Sequence, residues 1–424
     1  MIKKIIIVLS VLVNYVYAID ATMEIIKNKT KLPTISVVVS SDTTGDVKLA
    51  NSIVSLINKD LLVSGHFNSS EFVIENSYDR APNNIILKQN GIDLYLIIKL
   101  KINQVNGAMV NIKLYDINSN DLVLSKTYSI SSTNRYPFLS HKIAIDVNNY
   151  LKAPSIDWMD KFVIFSRYLT PRTSEIVISD YTLTYQKVVV KGGLNIFPKW
   201  ASSNQESFYY TTYKYDIPTL IKQNLYTGES KRILSSDGMM VCSDVSKDGD
   251  KLVLTMAPNS HSDIYVYDVK TRLKTRITNY SGIDVGGSFI ENDKKIVFIS
   301  DRLKYPNIFA KKIGEKGVER LIYHGRNNSQ CTTYSDYIVY SSRETDNEFG
   351  GNAFNLYLMS TRSDYVRRLT TSGRNQFPKF STDGESILFI KNDEKSSYLG
   401  IIRVNYNKSF IFTLKSGKLQ SIDW

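Results

Sequence analysis

Six short apolar runs recur at a nearly fixed interval in the second half of the chain, and this spacing limits the possible folds more than any other feature. They are "KFVIFS" from Lys161, "SFYYTT" from Ser207, "KLVLTM" from Lys251, "KIVFIS" from Lys295, "YIVYSS" from Tyr337 and "SILFIK" from Ser386. The steps between them are 46, 44, 44, 42 and 49 residues. A repeat of this period marks one supersecondary unit that buries its apolar faces only by stacking on copies of itself. Each unit keeps the same internal order. A strand and a tight polar turn precede the run, as in "SDVSKDGDK" and "FPKFSTDGES". The Asp-Gly pairs at Asp248–Gly249 and Asp383–Gly384 suit hairpins, because glycine tolerates positive φ. A third strand follows the run ("IVISD" at Ile176, "LIKQN" at Leu220, "IYVYD" at Ile264, "IFAKK" at Ile308, "LYLMS" at Leu356), then a fourth ("KRIL", "TRIT", "ERLI", "RRLT", "IFTL"). Four strands in about 44 residues is the pattern of a β-propeller blade. The apolar runs are nearly solid rather than alternating, as expected of sheets covered on both faces.

A ring must bring its end back to its beginning. The chain ends on "SIDW", Ser421 to Trp424, and the same tetrapeptide stands at Ser155 to Trp158. In the repeat frame, residues 422–424 occupy the place of "PKW" at 198–200 and "PKF" at 378–380. The C-terminus is therefore expected to supply the innermost strand of the first blade, closing an otherwise open edge. The earlier copy competes for that place but lacks the usual turn before "KFVIFS". The C-terminal copy is favoured, with Trp424 buried.

Residues 32–153 follow a different pattern, that of a mixed α/β domain. "LPTISVVV" reads as a strand, and "DVKLANSIVSLINKDLLVSG" as an amphipathic helix with Leu49, Ile53, Leu56, Ile57 and Leu61 on one face and Gly65 as its stop. "FVIE", "DLYLIIKLKI", "AMVNIKLYDI" and "LVLSKTYSI" are strand candidates, with an Asn-Gly hairpin signal in "QVNGAM". "YPFLSHKIAIDVNNYLKAP" predicts a closing helix that Pro154 ends. His141 and Asp146 on it are read as packing or capping residues. The whole is an α+β chain: an N-terminal mixed α/β domain followed by a C-terminal six-bladed β-propeller over residues 154–424.

Composition narrows the function. Hydrophobic residues make up 42% and charged residues 22%, ordinary for a globular protein. The formal charge of +12 is spread without any run of five Lys or Arg, which argues against nucleic-acid binding. Lys3 and Lys4, the apolar stretch Ile5 to Val13 and "VYA" ending at Ala18 form a signal peptide, residues 1–18, too short in its apolar part to span a membrane. Cleavage after Ala18 leaves a soluble chain starting at Ile19, and residues 19–31 form a leader mixing apolar and charged residues. Cys242 and Cys331 lie in non-neighbouring repeats and are expected to be buried free thiols. His66, His141, His261 and His324 are scattered, so no metal site is expected.

Specific phrases carry a family resemblance. "SDRLKYPNIF" (Ser300 to Phe309), "SDIYVYDVKTRLKTRIT" (Ser262 to Thr278) and "FPKFSTDGESILF" (Phe377 to Phe389) resemble blade phrases of the TolB family, the periplasmic components of the Tol–Pal envelope system. "LINKDLLVSGHF" (Leu56 to Phe67) and "LSHKIAIDVNNYL" resemble elements of that family's first domain. Departures are Lys304 and Leu273 where glycine is usual, blades one, two and five without the Asp-Gly turn, and the insertion "RETDNEFGGN" in blade five. The resemblance implies a periplasmic interaction protein, monomeric and without cofactor, that meets the envelope membranes only through partners. It implies binding of the lipoprotein Pal at one mouth of the propeller and of TolA by the mature N-terminal segment, in support of outer-membrane integrity and constriction during division. The corresponding mouth loops are "GGLN", "DGMM", "SGID", "GRNNSQ" and "SGRNQ". They put Met239, Met240, Asp284, Arg326, Asn327, Arg374 and Asn375 forward as partner-binding residues. In the leader, Ile19, Asp20, Met23, Ile25 and Ile26 are the docking candidates.

Catalysis finds no support in the motifs. The chain has no G-x-S-x-G elbow, and the first domain is too small for an α/β-hydrolase. "SKDGDK" and "STDGES" depart from sialidase turns. The alternative from another class is a periplasmic propeller that binds a carbohydrate or cofactor in its central channel.

Overall fold

A computed structural model describes residues 31–44, 46–102, 107–258, 260–344 and 353–424. In the first domain a five-stranded sheet has the order β2-β1-β3-β4-β5, built from β1 (Thr34–Val39), β2 (Asn68–Ser69), β3 (Leu94–Ile102), β4 (Ala108–Asp116) and β5 (Asp121–Ile130). β1 runs parallel to β2 and β3, while β3, β4 and β5 are antiparallel. Helices α1 (Val47–Ser64), α2 (Asn84–Gln89) and α3 (Tyr136–Tyr150) complete the domain. Asp46 caps α1 by accepting from the Lys48 and Leu49 amides, and Gly65 ends it at φ 81, where a side chain would be strained. Ile53, Ile57 and Leu61 of α1 and Ile143, Ala144 and Val147 of α3 bury against Ile35, Leu96, Ile98 and Ile112 of the sheet.

Two local expectations are corrected. "FVIE" is not a strand. Phe72 and Ile74 pack across the second face of the sheet, and the Phe72 and Ile74 carbonyls accept from Ser36 and Tyr95 hydroxyls. The two-residue β2 takes the edge position instead. α3 stops at Tyr150, short of Pro154, because Lys152 turns the chain at φ 53. The β3–β4 hairpin forms as expected, although most of its turn lies outside the described residues.

Beyond residue 160 the described residues form four four-stranded antiparallel sheets and one eight-stranded sheet, in which two four-stranded antiparallel sets are joined by a single parallel pairing of Phe354 with Arg374, so that six four-stranded blades result. Blades two to six follow chain order, their inner strands being Asn195–Trp200, Met240–Val245, Asp284–Ile290, Arg326–Tyr334 and Arg374–Phe380. The second strands are buried almost throughout, the consequence of sheets stacked on both faces. Blade one takes its inner strand from the C-terminus. Lys418–Asp423 pairs antiparallel with Val163–Thr170, with Ile422 opposite Phe165 and Asp423 opposite Ile164. The first "SIDW" runs instead into a short 3-10 helix, Asp157–Asp160, that packs beside α3. The two tryptophans meet edge to face, their ring centroids 5.2 Å apart. Trp158 is the buried one. Trp424, expected to be buried, is half-buried at the strand end.

Deleting Ser421–Trp424 removes the buried Ile422 side chain, about 1.5–3 kcal/mol, and the buried ion-pair partner Asp423. A loss of at least ~3 kcal/mol is expected, seen by calorimetry as a lower melting temperature. An unchanged melting curve would show that the last strand does not close the ring.

Candidate functional site

The six inner strands surround a central channel, and every one is irregular at about the same level. Register shifts fall between the pairs at Tyr209/Thr211, Cys242/Asp244, Val285/Ser288, Ser329/Cys331, Gln376/Lys379 and Leu419/Ser421. Phe197, Gly286, Gln330 and Phe377 sit there with φ between 50 and 65. A bulge re-aims the side chains that follow it, and here those chains line the channel. At blade four the close approach requires glycine, since a Cβ on Gly287 would stand 2.5 Å from Val253 Cγ1.

Below one mouth lies a cavity of about 330 Å³ walled by Phe197, Val241, Val285, Ile299, Phe377 and Ile422. Lys199 stands between it and a second cavity, which opens toward Trp158, Ser202, Lys247 and Thr382. Lys199 Nζ lies 2.9 Å from Asp423 Oδ1 and 3.2 Å from Asp244 Oδ1. The other oxygens of the two carboxylates accept the Trp200 amide (2.8 Å) and the Phe289 amide (2.9 Å). Burial disfavours the Lys199 charge, but Asp423 and Asp244 outweigh it and hold the ammonium above its ordinary pKa. Lys379, 3.9 Å from Asp423, is left with the weaker share. Burial and repulsion from Lys199 push it below the usual lysine range. Cys242 and Cys331 also line the cavity as free thiols, and burial raises both, Cys331 to about 12. Cys331, expected to be buried, is half-buried.

The mouth above this cavity is built by the loops entering each inner strand and by those between second and third strands. The two sets touch. The Tyr213 amide donates to the Leu194 carbonyl, Ala257 to Met239, and Asp301 to Ile283. Of the sequence-based candidates, Met239 and Arg374 are exposed on this face, and Asn327 is half-buried in left-handed backbone, φ 55. The side chain of Arg326 lies outside the described set.

Three candidates are corrected. Met240 is fully buried among Leu252, Leu254 and Tyr265. Asp284 is fully buried and accepts from Arg302 Nη2 through both carboxylate oxygens, at 2.9 and 3.0 Å. Asn375 is buried and clips its own loop, donating to the Ser372 and Phe354 carbonyls. Asn195 and Asn328 do the same in blades two and five, through the carbonyls of Gly192 and His324. A polar residue opening an inner strand is therefore a blade clip, whose buried amide must find partners. Ile19, Asp20, Met23, Ile25 and Ile26 lie outside the described residues.

Sequence reasoning missed the apolar part of this face. Ile283 is 52% and Tyr323 76% exposed, and Tyr213, Tyr215 and Ile217 of blade two are exposed as well. The Arg232 guanidinium stacks 3.7 Å from the Tyr215 ring centre. The signal was present in "TTYKYDIP", two tyrosines and an isoleucine in a loop.

A second cluster joins the domains. His141 of α3, read as a packing or capping residue, is fully buried, with Nδ1 2.8 Å from Asp60 Oδ2 of α1. Its Nε2 stands 3.4 Å from Asp180 Oδ2 of the propeller, at ion-pair range without hydrogen-bond geometry. Tyr181 of the propeller donates to Asp60, and Asp180 accepts from the Thr182 and Tyr185 amides. Burial works against the imidazolium, but Asp60 and Asp180 outweigh it and raise His141 to about 10. Nearby, His66 meets Asn148 at 2.5 Å and Tyr406 of the propeller at 2.6 Å. Burial there dominates and lowers His66 to about 4.

Comparison with known proteins adds the relationship. A family model described as the TolB beta propeller domain matches residues 161–424, and one described as the TolB amino-terminal domain matches residues 21–123. The Tol-Pal system protein TolB of Wolinella succinogenes is 49% identical over 96% of this chain and 97% of its own length. The protein of that name from Helicobacter hepaticus is 48% identical over 96% of each. The crystal structure of TolB from Acinetobacter baumannii superposes with a TM-score of 0.75 at 21% identity, covering 93% of this chain and 97% of that one, a likeness of fold.

The junction predicts a stability optimum near neutral pH. His141, raised in the folded state, contributes fully below its unfolded value of ~6.5 and loses that contribution as pH climbs toward about 10. His66, lowered in the folded state, loses its contribution as pH falls from ~6.5 toward about 4. Melting temperature measured against pH should fall on both sides. His141→Gln should flatten the alkaline limb and His66→Gln the acid limb. Limbs unmoved by these changes would count against the assignment.

Proposed function

The chain belongs to the TolB family, and on that premise we propose that it works in the periplasm as the TolB component of a Tol–Pal system, binding Pal at the propeller mouth and TolA through residues 19–31. The observation that carries this reading is the exposed apolar and aromatic surface around a clipped, rigid rim. Met239, Ile283, Tyr323 and the Tyr213–Ile217 loop stand out from a rim in which buried Asn195, Asn328 and Asn375 clip the loops of blades two, five and six and the Asp284–Arg302 pair holds that of blade four. Aromatic and arginine side chains on a rigid frame suit a protein interface, because little rotamer freedom is lost on contact. Arg374 supplies a cation on the same rim for a carboxylate of the partner. The exported leader and the signal peptide agree with a periplasmic site of action. Among the described residues no helix is long and apolar enough to cross a membrane. Support of outer-membrane integrity and of constriction during division follows from membership in such a system. The reading is of an interaction protein, not a catalyst.

The N-terminal segment enters as a coupled docking element. Pal can shift it only by binding its two arrangements unequally.

The test is a calorimetric titration of the mature chain, Ile19 to Trp424, with the soluble domain of Pal from the same organism, repeated on a chain starting at Leu32. Binding by both with different affinities is expected. Tyr323→Ala and Met239→Asp should each weaken binding at least ~10-fold without changing the melting temperature. Absence of binding by the folded chain would sink the Pal reading. Equal affinities for the two lengths would remove the coupling alone.

A further inference from the structure

We propose that the channel cavity is a binding site for a medium-length apolar monocarboxylate, with its chain against the inner-strand wall and its carboxylate on Lys379 and Gln330. The cavity volume of about 330 Å³ lies at the small end of ligand sites. Its wall is continuous apolar surface from Phe197, Val241, Val285, Ile299, Phe377 and Ile422. Dewatering such a surface favours an alkyl chain by roughly 0.8 kcal/mol per methylene.

The polar groups at its floor are unequal in a way that selects a single negative charge. Lys199 is fully engaged between Asp244 and Asp423. Lys379 is not. Its ammonium makes no hydrogen bond among the described residues, and its nearest carboxylate oxygen, at 3.9 Å, already accepts from Lys199. Three donors on one partly buried ammonium are therefore left without partners. Gln330 lines the same cavity. Its Oε1 accepts the Phe377 amide at 3.1 Å, and its side-chain NH2 has no acceptor among the described residues. One carboxylate presents two acceptor oxygens to these two donors. Asp244 and Asp423, close behind, disfavour a dianion such as a phosphate monoester. Burial and the neighbouring Lys199 charge both hold Lys379 below its ordinary pKa, and a bound carboxylate would offset them.

The cavity lies below the rim and meets it at Met239, so decanoate binding is tested apart from Pal binding with variants at the floor and wall, not at Met239. The mature chain is titrated with sodium decanoate below its micellar concentration, and in parallel with 1-decanol. One decanoate per chain is expected. Lys379→Gln should weaken decanoate at least ~10-fold while leaving decanol unchanged, and Val241→Trp should reduce both by filling the wall. Near-UV circular dichroism confirms that each variant is folded, and if the tryptophan variant is not, the contrast between decanoate and decanol on Lys379→Gln still decides. No binding by the wild-type chain overturns the proposal. So does decanoate binding that Lys379→Gln leaves intact. Pal titration of the same variant reports the rim independently.

Discussion

Ring closure is the constraint on which the rest of the propeller depends. A propeller of open-ended sheets has one seam, and here the last strand fills it by pairing with Val163–Thr170. The seam is held by charge as well as by the ladder. Asp423 of the closing strand reaches across to Lys199 and to the Trp200 amide of blade two. Lys199 then ties Asp244 of blade three, and Asp244 accepts the Phe289 amide of blade four. One buried ion-pair network therefore links four blades through the channel. Breaking one partner leaves a buried charge without compensation, which is why such pairs are costly to disrupt.

The same network divides the channel. It leaves an apolar chamber under the mouth and a second cavity on the Trp158 side, lined in part by Ser202, Ser203 and Lys247. That division sets what each side can do. On the proposed readings, the aromatic surface of the mouth meets a macromolecule, while the chamber below it takes a small acid. At the far side the first domain is fixed by a different device. Asp60, His141 and Asp180 form a buried acid–base–acid series across the junction, with Tyr181 completing the Asp60 contacts. Gly65 lets Tyr406 of the propeller pack against the end of α1, since a Cβ there would stand 3.0 Å from the ring. The "DLLVSGHF" and "LSHK" phrases thus act as docking chemistry between domains.

The blade phrases have a similar explanation. In "SDRLKYPNIF", Arg302 bonds Ser300 and Asp284 and lies over Tyr280, Phe298 and Phe309. In the unit before it, Arg276 pairs with Asp263. These charges hold a blade to its own loop, and their recurrence reflects the repeat rather than a shared ligand. Asp284 and Asn375 misled the sequence reading for that reason. A polar residue in a Gly-rich loop looks the same in sequence whether it faces a partner or caps the loop beneath it.

Period and pattern alone determined the architecture. The 42–49-residue spacing of solid apolar runs demanded stacked four-stranded units, and the repeated "SIDW" in the repeat frame pointed to the closing strand. Those are local signals, because strand alternation and turn chemistry are set by neighbours in the chain. Tertiary structure decided everything that depends on residues distant in sequence. It made His141 a junction cation by placing it between residues 81 positions before and 39 after. It gave Trp158 the buried seat and Trp424 the half-exposed one. It brought Lys199, Lys379, Asp244 and Asp423 to one level of the channel, each from a different strand. Such groupings follow from ring closure and the shared bulges of six inner strands, and no window of sequence contains either.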